Sequence, residues 1–249
     1  MNGLYQKLYD VCSVDNSFFQ SAHFVSMKGT CYAQNELRFM LIGRAPNGWE
    51  SLNAQNGEAF GNEAEHLFNT DRWNWIEVIN GTQYSTHDKD QSDLKNRYCI
   101  DKKPFWTFSK AIWEKLSGQI STDLIWQKNI VWSNLYKVSP KNSDNPSWHS
   151  QQMQQQVCMD ILKKELDVYQ PTHVLVVSGF DWFEPFASIF EKVQDTGVRN
   201  ILRGESKNEV YVEGKATYNN AKVVIACRPE WRNKEAYVEE VTEAFCNGF

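Results

Sequence analysis

Four short apolar runs constrain the fold more than any other feature of this 249-residue sequence. They occupy residues 37–42, 130–132, 173–177 and 223–226, and each ends at a polar or glycine-containing segment. Apolar runs of this length favour buried strands over helices. Since helical patterns separate the runs, the strands are predicted to lie parallel and to be covered by helices on both faces. The sequence therefore predicts an α/β fold, a three-layer αβα sandwich with a mostly parallel four-stranded sheet, in a single domain spanning residues 1–249.

Apolar periodicity and local stop signals place helices between these strands. Pro104 suits the first turn of one helix, and Pro171 marks the end of a later one. The predicted helices cover residues 62–68, 104–116, 150–169, 181–192 and 234–245. Alternating residues over 209–218, centred on 213–214, predict a small hairpin.

The composition excludes several classes of protein. Hydrophobic residues make up 41% of the chain and charged residues 23%, as in an ordinary globular domain. The apolar runs are far shorter than the roughly 20 residues that a membrane span takes, so no membrane partner is expected. Polar residues interrupt the N-terminal segment before a signal-peptide core could form. Six dispersed cysteines and five histidines at no metal-ligand spacing predict a cytoplasmic protein with reduced thiols and no metal site.

The four predicted strands each run into a loop with unusual polar residues. These loops read GRAPNGW from residue 43, SNLYKVSPKNSDNPS from residue 133, SGFDW from residue 178 and CRPEWR from residue 227. In an open parallel sheet, ligands bind beyond the carboxyl ends of the strands. A functional site is therefore expected where these loops meet.

Together with residues 56–68, the loops resemble short motifs of the uracil-DNA glycosylase superfamily, particularly its thermophilic iron–sulfur type. The GRAPNG segment at residues 43–48 is similar to the family's G-E-A-P-G loop, and GEAFG at residues 57–61 is similar to its G-x-P-F-x-G segment. NLYKVSP at residues 134–140 resembles the N-x-x-K-x-x-P stretch. The matches keep the family's order across residues 37–240.

The resemblance implies a uracil-DNA glycosylase-like fold with a pocket for a flipped base, and a hydrolase that cleaves an N-glycosidic bond during base excision in DNA repair. The positions that would contact the base are Gly43, Arg44, Ala45, Pro46, Phe60, which would stack on it, and Asn134, which would read its edge. The catalytic positions would be Asn47 and Arg228.

Two of these positions differ from the family pattern. Arg44 stands where an acidic residue is common, and Arg228 stands where a histidine usually donates to the uracil oxygen. Bond hydrolysis passes through an oxocarbenium-like state that a carboxylate stabilises, and an arginine is a poor proton donor. Val138 also follows Lys137 where a cluster-binding cysteine would be expected, so neither an iron–sulfur cluster nor another cofactor is predicted.

The net charge of −5 requires any contact with nucleic acid to be local. The segments at residues 43–49, 134–148 and 227–234 hold six basic residues against two acidic ones. They predict a positive patch at the strand ends, and the expected partner is DNA or another nucleic acid. The predicted phosphate-binding residues are Lys137, Lys141 and Arg232.

Each site residue also has a structural explanation. Phe60 suits a hydrophobic core, Asn134 suits a hydrogen bond to neighbouring backbone, and the basic residues suit solvent. The arginine replacements also support a second function, a non-catalytic module that binds nucleic acid or a nucleobase on the same fold. A third alternative is a hydrolase that acts on free nucleosides.

Overall fold

The computed structural model describes residues 1–13, 21–46, 56–70, 102–120, 126–140, 145–199 and 210–247. Its helices are α1 (Asn2–Cys12), α2 (Gly57–Asn69), α3 (Pro104–Ser117), α4 (Trp148–Tyr169), α5 (Phe180–Phe183) and α6 (Lys234–Asn247). Its strands are β1 (Ser21–His23), β2 (Met27–Lys28), β3 (Phe39–Gly43), β4 (Ile130–Asn134), β5 (Val138–Pro140), β6 (His173–Val177), β7 (Glu191–Asp195), β8 (Val212–Tyr218) and β9 (Ala221–Ala226). Short 3₁₀ turns cover Tyr32–Gln34, Trp126–Asn129 and Glu184–Ile189.

Local capping explains several helix boundaries. The Asn56 side chain caps α2 by accepting a hydrogen bond from the Ala59 backbone N–H at 2.9 Å. Helix α3 begins at Pro104, where the missing backbone N–H leaves no unpaired donor, and it ends before Gly118, which is left-handed with φ 68°. These caps fix the ends of helices that pack against the sheet.

Seven of the described strands form one mixed sheet in the order β2, β4, β3, β6, β9, β8, β7. The four central strands, β4, β3, β6 and β9, run parallel. Strands β2, β8 and β7 extend the sheet through antiparallel pairings. The four predicted strands are therefore confirmed, but the prediction of a four-stranded sheet was wrong, because the flanking strands lack a continuous buried apolar run. Strands β1 and β5 form a separate antiparallel pair.

Alternating residues of the parallel strands supply two hydrophobic cores. In β3, Met40 and Ile42 pack on the face covered by α1, α2 and α4. Phe39 and Leu41 pack on the other face, which α3 and α6 cover. Because both faces are buried, the central strands read as continuous apolar runs. The predicted three-layer arrangement is confirmed.

Two predicted elements were wrong. In place of the expected hairpin over 209–218, the described residues form one continuous strand, β8 (Val212–Tyr218), and the chain turns only at residues 219–220. A Cβ atom on Gly214 would collide with the Phe180 ring, so this glycine marks close packing and not a turn. The predicted helix over 181–192 is replaced by short α5, a 3₁₀ turn and strand β7.

The helices form surface layers over the sheet. Helix α4 is 22 residues long, and its buried side chains alternate with charged and polar ones. Among the helices that the structure describes, none combines the length and the apolar character of a membrane span.

Candidate functional site

Two neighbouring parallel strands, β3 and β4, end side by side at Gly43 and Asn134. Gly43 has no side chain, and a Cβ atom there would collide with Oδ1 of Asn134. The Phe105 ring approaches the same point from the first turn of α3, 3.5 Å from the place that a Cβ atom would take. Gly43 therefore leaves room where a polar amide and an aromatic ring converge.

The Asn134 side chain is buried, and its amide nitrogen lacks a hydrogen-bond partner among the described residues. The residue is 2% exposed, and the unpaired atom is Nδ2. Leaving a buried donor unpaired costs about 1–3 kcal/mol, and most buried polar groups in folded proteins are paired. The amide therefore offers an unused donor at the end of the sheet where α/β proteins bind ligands.

A buried ion pair holds the backbone behind Asn134. Lys137 Nζ donates to both Glu165 carboxylate oxygens at 2.9 Å, to Ser133 Oγ at 2.7 Å and to the Asn134 carbonyl at 2.8 Å. Ser133 Oγ in turn donates to Glu165 at 2.6 Å. Since the side chains of Lys137 and Glu165 are both 0% exposed, the predicted phosphate contact of Lys137 is wrong. Its ammonium group is enclosed, and it stabilises the end of β4.

Arg44 follows β3 and lies at the same end of the sheet. Its Nε donates to the Ser178 carbonyl at 2.7 Å, and its guanidinium carbon lies 4.8 Å from the centre of the Trp182 ring. Burial lowers the pKa of Arg44 to about 10, and the nearby positive charge of Arg228 acts in the same direction. Arg44 therefore stays charged at neutral pH and is fixed in place.

The loop after β6 forms another side of this site. Gly179 has φ 79°, a conformation that favours glycine. A Cβ atom there would lie 3.1 Å from Oε2 of Glu213 and 3.7 Å from Nη2 of Arg44. Glu213 is 4% exposed, and its Oε2 accepts a 2.7 Å hydrogen bond from the Phe180 backbone N–H. The Glu213 carboxylate therefore holds the loop, and its charge opposes the lowering of the Arg44 pKa.

Arg228 follows β9, so the sheet places it at the same end as Asn134. Its Nε and Nη2 donate to the Glu230 carboxylate at 3.0 and 2.6 Å, and its side chain is 46% exposed. Arg232 is half-buried in the same loop, and its backbone N–H donates to the Pro229 carbonyl. Exposed ion pairs contribute about 0–1 kcal/mol. A phosphate group could therefore replace Glu230 at little cost.

Phe60 lies in the hydrophobic core and not in a ligand pocket. It is 1% exposed within α2. Its ring centre lies 6.1 Å from that of Tyr5, 5.7 Å from that of Tyr9 and 5.1 Å from that of His23. Because these rings enclose it, no face is open to a base. The predicted base contact of Phe60 is wrong, and its structural explanation is confirmed.

Ala45 and Pro46 fix the start of the loop after β3. Ala45 packs against the core on the α1, α2 and α4 face, and Pro46 is buried. The Pro46 carbonyl accepts a hydrogen bond from Ser139 Oγ. Asn47 and Lys141, the other predicted site residues, lie outside the described residues.

Three residues of the site were not predicted from the sequence: Phe105, Trp182 and Glu213. Helical periodicity places Phe105 on the buried face of α3, and the predicted hairpin placed Glu213 in a turn. Trp182 had one signal, its place in the SGFDW loop after the third predicted strand. All three reach the site from elements far apart in the sequence, so their convergence depends on the fold.

Within the described ranges, no group of three or more His, Cys, Asp or Glu residues could hold a metal ion. Comparison of the chain with models of known protein families and with curated proteins found no match. The function must therefore be inferred from the residues that converge at this end of the sheet.

Proposed function

We propose that the protein binds a nucleobase of a nucleic-acid strand at the carboxyl end of its sheet, with Asn134 reading the base edge. The observation that carries this proposal is the buried Asn134 Nδ2, which has no hydrogen-bond partner in the described part of the chain. An asparagine amide places a donor beside an acceptor, as the edge of a nucleobase does. Pairing the unused donor with a ligand would recover about 1–3 kcal/mol.

Phe105 supplies the apolar surface that this proposal needs. The residue is half-buried, and its ring meets that of Trp106 edge-on with 5.0 Å between the ring centres. A base that binds to the Asn134 amide would also be near the Phe105 ring, because both side chains lie within 4 Å of the place that a Cβ atom on Gly43 would take. Stacking on an aromatic side chain contributes about 1–3 kcal/mol per base.

The arginines at this end suit the phosphates that flank a base. Arg44 is fixed by its hydrogen bond to the Ser178 carbonyl, and Arg228 is exposed enough to exchange Glu230 for a phosphate. Trp231, in the loop after Arg228, is 84% exposed and has φ 67°. An exposed aromatic ring in a strained loop suits stacking with a neighbouring base.

Binding fits these residues better than hydrolysis does. Cleavage of an N-glycosidic bond needs a carboxylate that faces the sugar or a water molecule. Glu213 is 4% exposed and accepts from a backbone N–H, and Glu230 is paired with Arg228. The resemblance to the uracil-DNA glycosylase superfamily supports a base site. The replacements at Arg44 and Arg228 support recognition without cleavage.

Fluorescence anisotropy with labelled single-stranded oligonucleotides tests this proposal. The probes are an oligonucleotide with one uracil, the same strand with an abasic site, and free deoxyuridine as a competitor. Asn134→Asp replaces the amide donor with an acceptor and should weaken binding of the uracil strand about 10- to 100-fold. Asn247→Asp makes the same charge change at an exposed position and should leave the affinity nearly unchanged.

Four outcomes would change the conclusion. Equal affinity for the uracil and abasic strands, or for the native protein and Asn134→Asp, would contradict base reading. Release of free uracil by the native protein would assign hydrolysis in addition to binding. Tighter binding of deoxyuridine than of the strand would favour a free nucleoside as the ligand.

A further inference from the structure

A pocket with a volume of about 290 Å³ lies at the amino end of the sheet, opposite the proposed base site. Arg38 immediately precedes β3, and Lys28 ends the antiparallel strand β2 beside the first half of β4. Tyr169 ends α4, and Phe68 lies in the last turn of α2. The volume is at the lower limit of small-molecule sites, so the pocket suits a ligand about the size of one aromatic ring with a substituent.

The described lining of the pocket carries basic side chains. Lys28 and Arg38 are among its lining residues, and the described lining includes no acidic residue. The whole chain carries a net charge of −5, so this is a local reversal of sign. Such a site attracts an anion and not a cation.

Arg38 is held so that part of its guanidinium group stays available. Its Nε donates to the Gln170 carbonyl at 2.6 Å. Gln170, at the end of α4, has φ 47°, a left-handed conformation that non-glycine residues rarely adopt. Neither Nη group of Arg38 has a partner within the residues that the structure describes. A guanidinium group anchored at Nε can therefore offer its Nη atoms to a carboxylate or phosphate.

Tyr32 adds a second donor beside Arg38. It is 1% exposed, and its hydroxyl has no hydrogen-bond partner in the described part of the chain. Burial raises the pKa of the Tyr32 hydroxyl, while the charge of Arg38 acts on it in the opposite direction. The hydroxyl therefore stays protonated close to the guanidinium group, where it can donate to the same anion.

Aromatic rings form an apolar wall of the pocket. The centres of the Phe68 and Tyr169 rings lie 5.1 Å apart, with 34° between the ring planes. The Tyr169 hydroxyl is hydrogen-bonded to Ser26 Oγ at 3.0 Å, which fixes the ring. Tyr32 meets Tyr169 edge-on, with 6.3 Å between the ring centres. Such a wall favours a planar ring over a flexible chain.

We infer that this pocket binds a small aromatic anion, a planar ring that carries a carboxylate or a phosphate group. Arg38 and the Tyr32 hydroxyl contact the charged group, and the wall of Phe68 and Tyr169 contacts the ring. The site is independent of the proposed base site, because Arg38 and Arg44 lie at opposite ends of β3.

Calorimetric titration of the full chain with benzoate, phenyl phosphate and benzamide tests this inference and distinguishes the two charged groups. Benzamide has the same ring and no charge, so it should bind at least about tenfold more weakly than the better anion. Arg38→Gln should weaken binding of that anion at least about tenfold. Lys163→Gln removes the same charge from an exposed position on α4 and should change the affinity less than about twofold.

Tyr32→Phe removes one oxygen atom and should weaken binding about three- to tenfold, which keeps the test decisive if Arg38→Gln fails to fold. Inorganic phosphate alone should bind more weakly than phenyl phosphate. Equal binding of benzamide and benzoate, equal binding of inorganic and phenyl phosphate, or no weakening in either variant would overturn the inference. The failure of both aromatic anions to bind at millimolar concentration would also overturn it.

Discussion

Two arginines flank strand β3, and both are held in the same way. Arg38 precedes the strand and donates Nε to the Gln170 carbonyl at 2.6 Å, and Arg44 follows it and donates Nε to the Ser178 carbonyl at 2.7 Å. These two carbonyls lie just before and just after the neighbouring strand β6. One pair of parallel strands therefore presents an anchored guanidinium group at each end.

The two ends differ in the charges around these arginines. The pKa of Arg44 is lowered by the positive charge of Arg228 and raised by the carboxylates of Glu213 and Glu230. Charges of both signs therefore lie near Arg44. The described lining of the Arg38 pocket adds Lys28 and no acidic residue. The same anchor is therefore surrounded by charges of both signs at the carboxyl end and by basic side chains alone in the described pocket lining at the amino end. The two ends thus differ in the charges around the anchored guanidinium group and not in the anchor itself.

The largest expected effect tests the rigidity of the carboxyl end. Lys137→Met leaves the buried Glu165 without its partner and should lower the free energy of unfolding by about 3–5 kcal/mol in chemical denaturation. The double variant Lys137→Met, Glu165→Gln removes both charges and should recover most of that loss. It should still weaken base binding at Asn134, whose carbonyl Lys137 holds, and leave benzoate binding at Arg38 unchanged. A double variant as unstable as the single one would contradict this role of the ion pair.

A smaller effect tests how closely the Asn134 amide approaches Gly43 at the carboxyl end of the sheet. The methyl group of Gly43→Ala would collide with the Asn134 amide and should lower the free energy of unfolding by about 1–3 kcal/mol. Gly3→Ala in α1 is the matched control, because no heavy atom lies within 4 Å of its added Cβ. That control should raise stability by about 0.5–1 kcal/mol. Equal thermal stability of the native protein and Gly43→Ala would show that the amide does not lie over Gly43.

The smallest expected effect is a pH dependence of stability caused by His173, a residue at the amino end of the sheet. At the amino end, burial lowers the pKa of His173 to about 4, and the positive charge of Lys222 acts in the same direction. The unfolded chain, with an ordinary histidine pKa of about 6.5, therefore binds the proton first, and stability is lost as the pH falls from 6.5 towards 4. Because His173 is partly exposed, we expect a loss of about 1–2 kcal/mol.

Denaturation of the native protein and of His173→Gln between pH 7 and pH 4 measures this loss. The variant should lack the part of the pH dependence that His173 causes. Parallel stability curves for the two proteins would assign the titration to other groups.

The central strands could be predicted from the sequence because burial on both faces leaves a direct signal. Residues 173–177 read as an apolar run for this reason. Strand β7, by contrast, is exposed along its whole length, and β2 has only two residues. Neither one leaves an apolar pattern that periodicity could detect.

The site could be predicted only in part for a related physical reason. The rule that parallel strands end at the same edge was enough to bring Gly43, Asn134 and Arg228 to one end of the sheet. Burial, however, depends on neighbours from distant segments. Phe60 is enclosed by rings from α1 and β1, and Lys137 is paired with a carboxylate on α4. The Arg38 pocket could not be predicted from the sequence for the same reason, since its lining comes from several elements.

The outer strand β7 also limits how copies of this chain can associate. All five of its residues are exposed, its pairing with β8 shifts register between Glu191 and Gln194, and Lys192 has φ 49°. Charged side chains and a bulge make it unfavourable for an edge strand to hydrogen-bond to another sheet. At the other margin, two-residue β2 offers little backbone to pair. Within the part of the chain that the structure describes, growth of the seven-stranded sheet from one molecule to the next is therefore disfavoured at both margins.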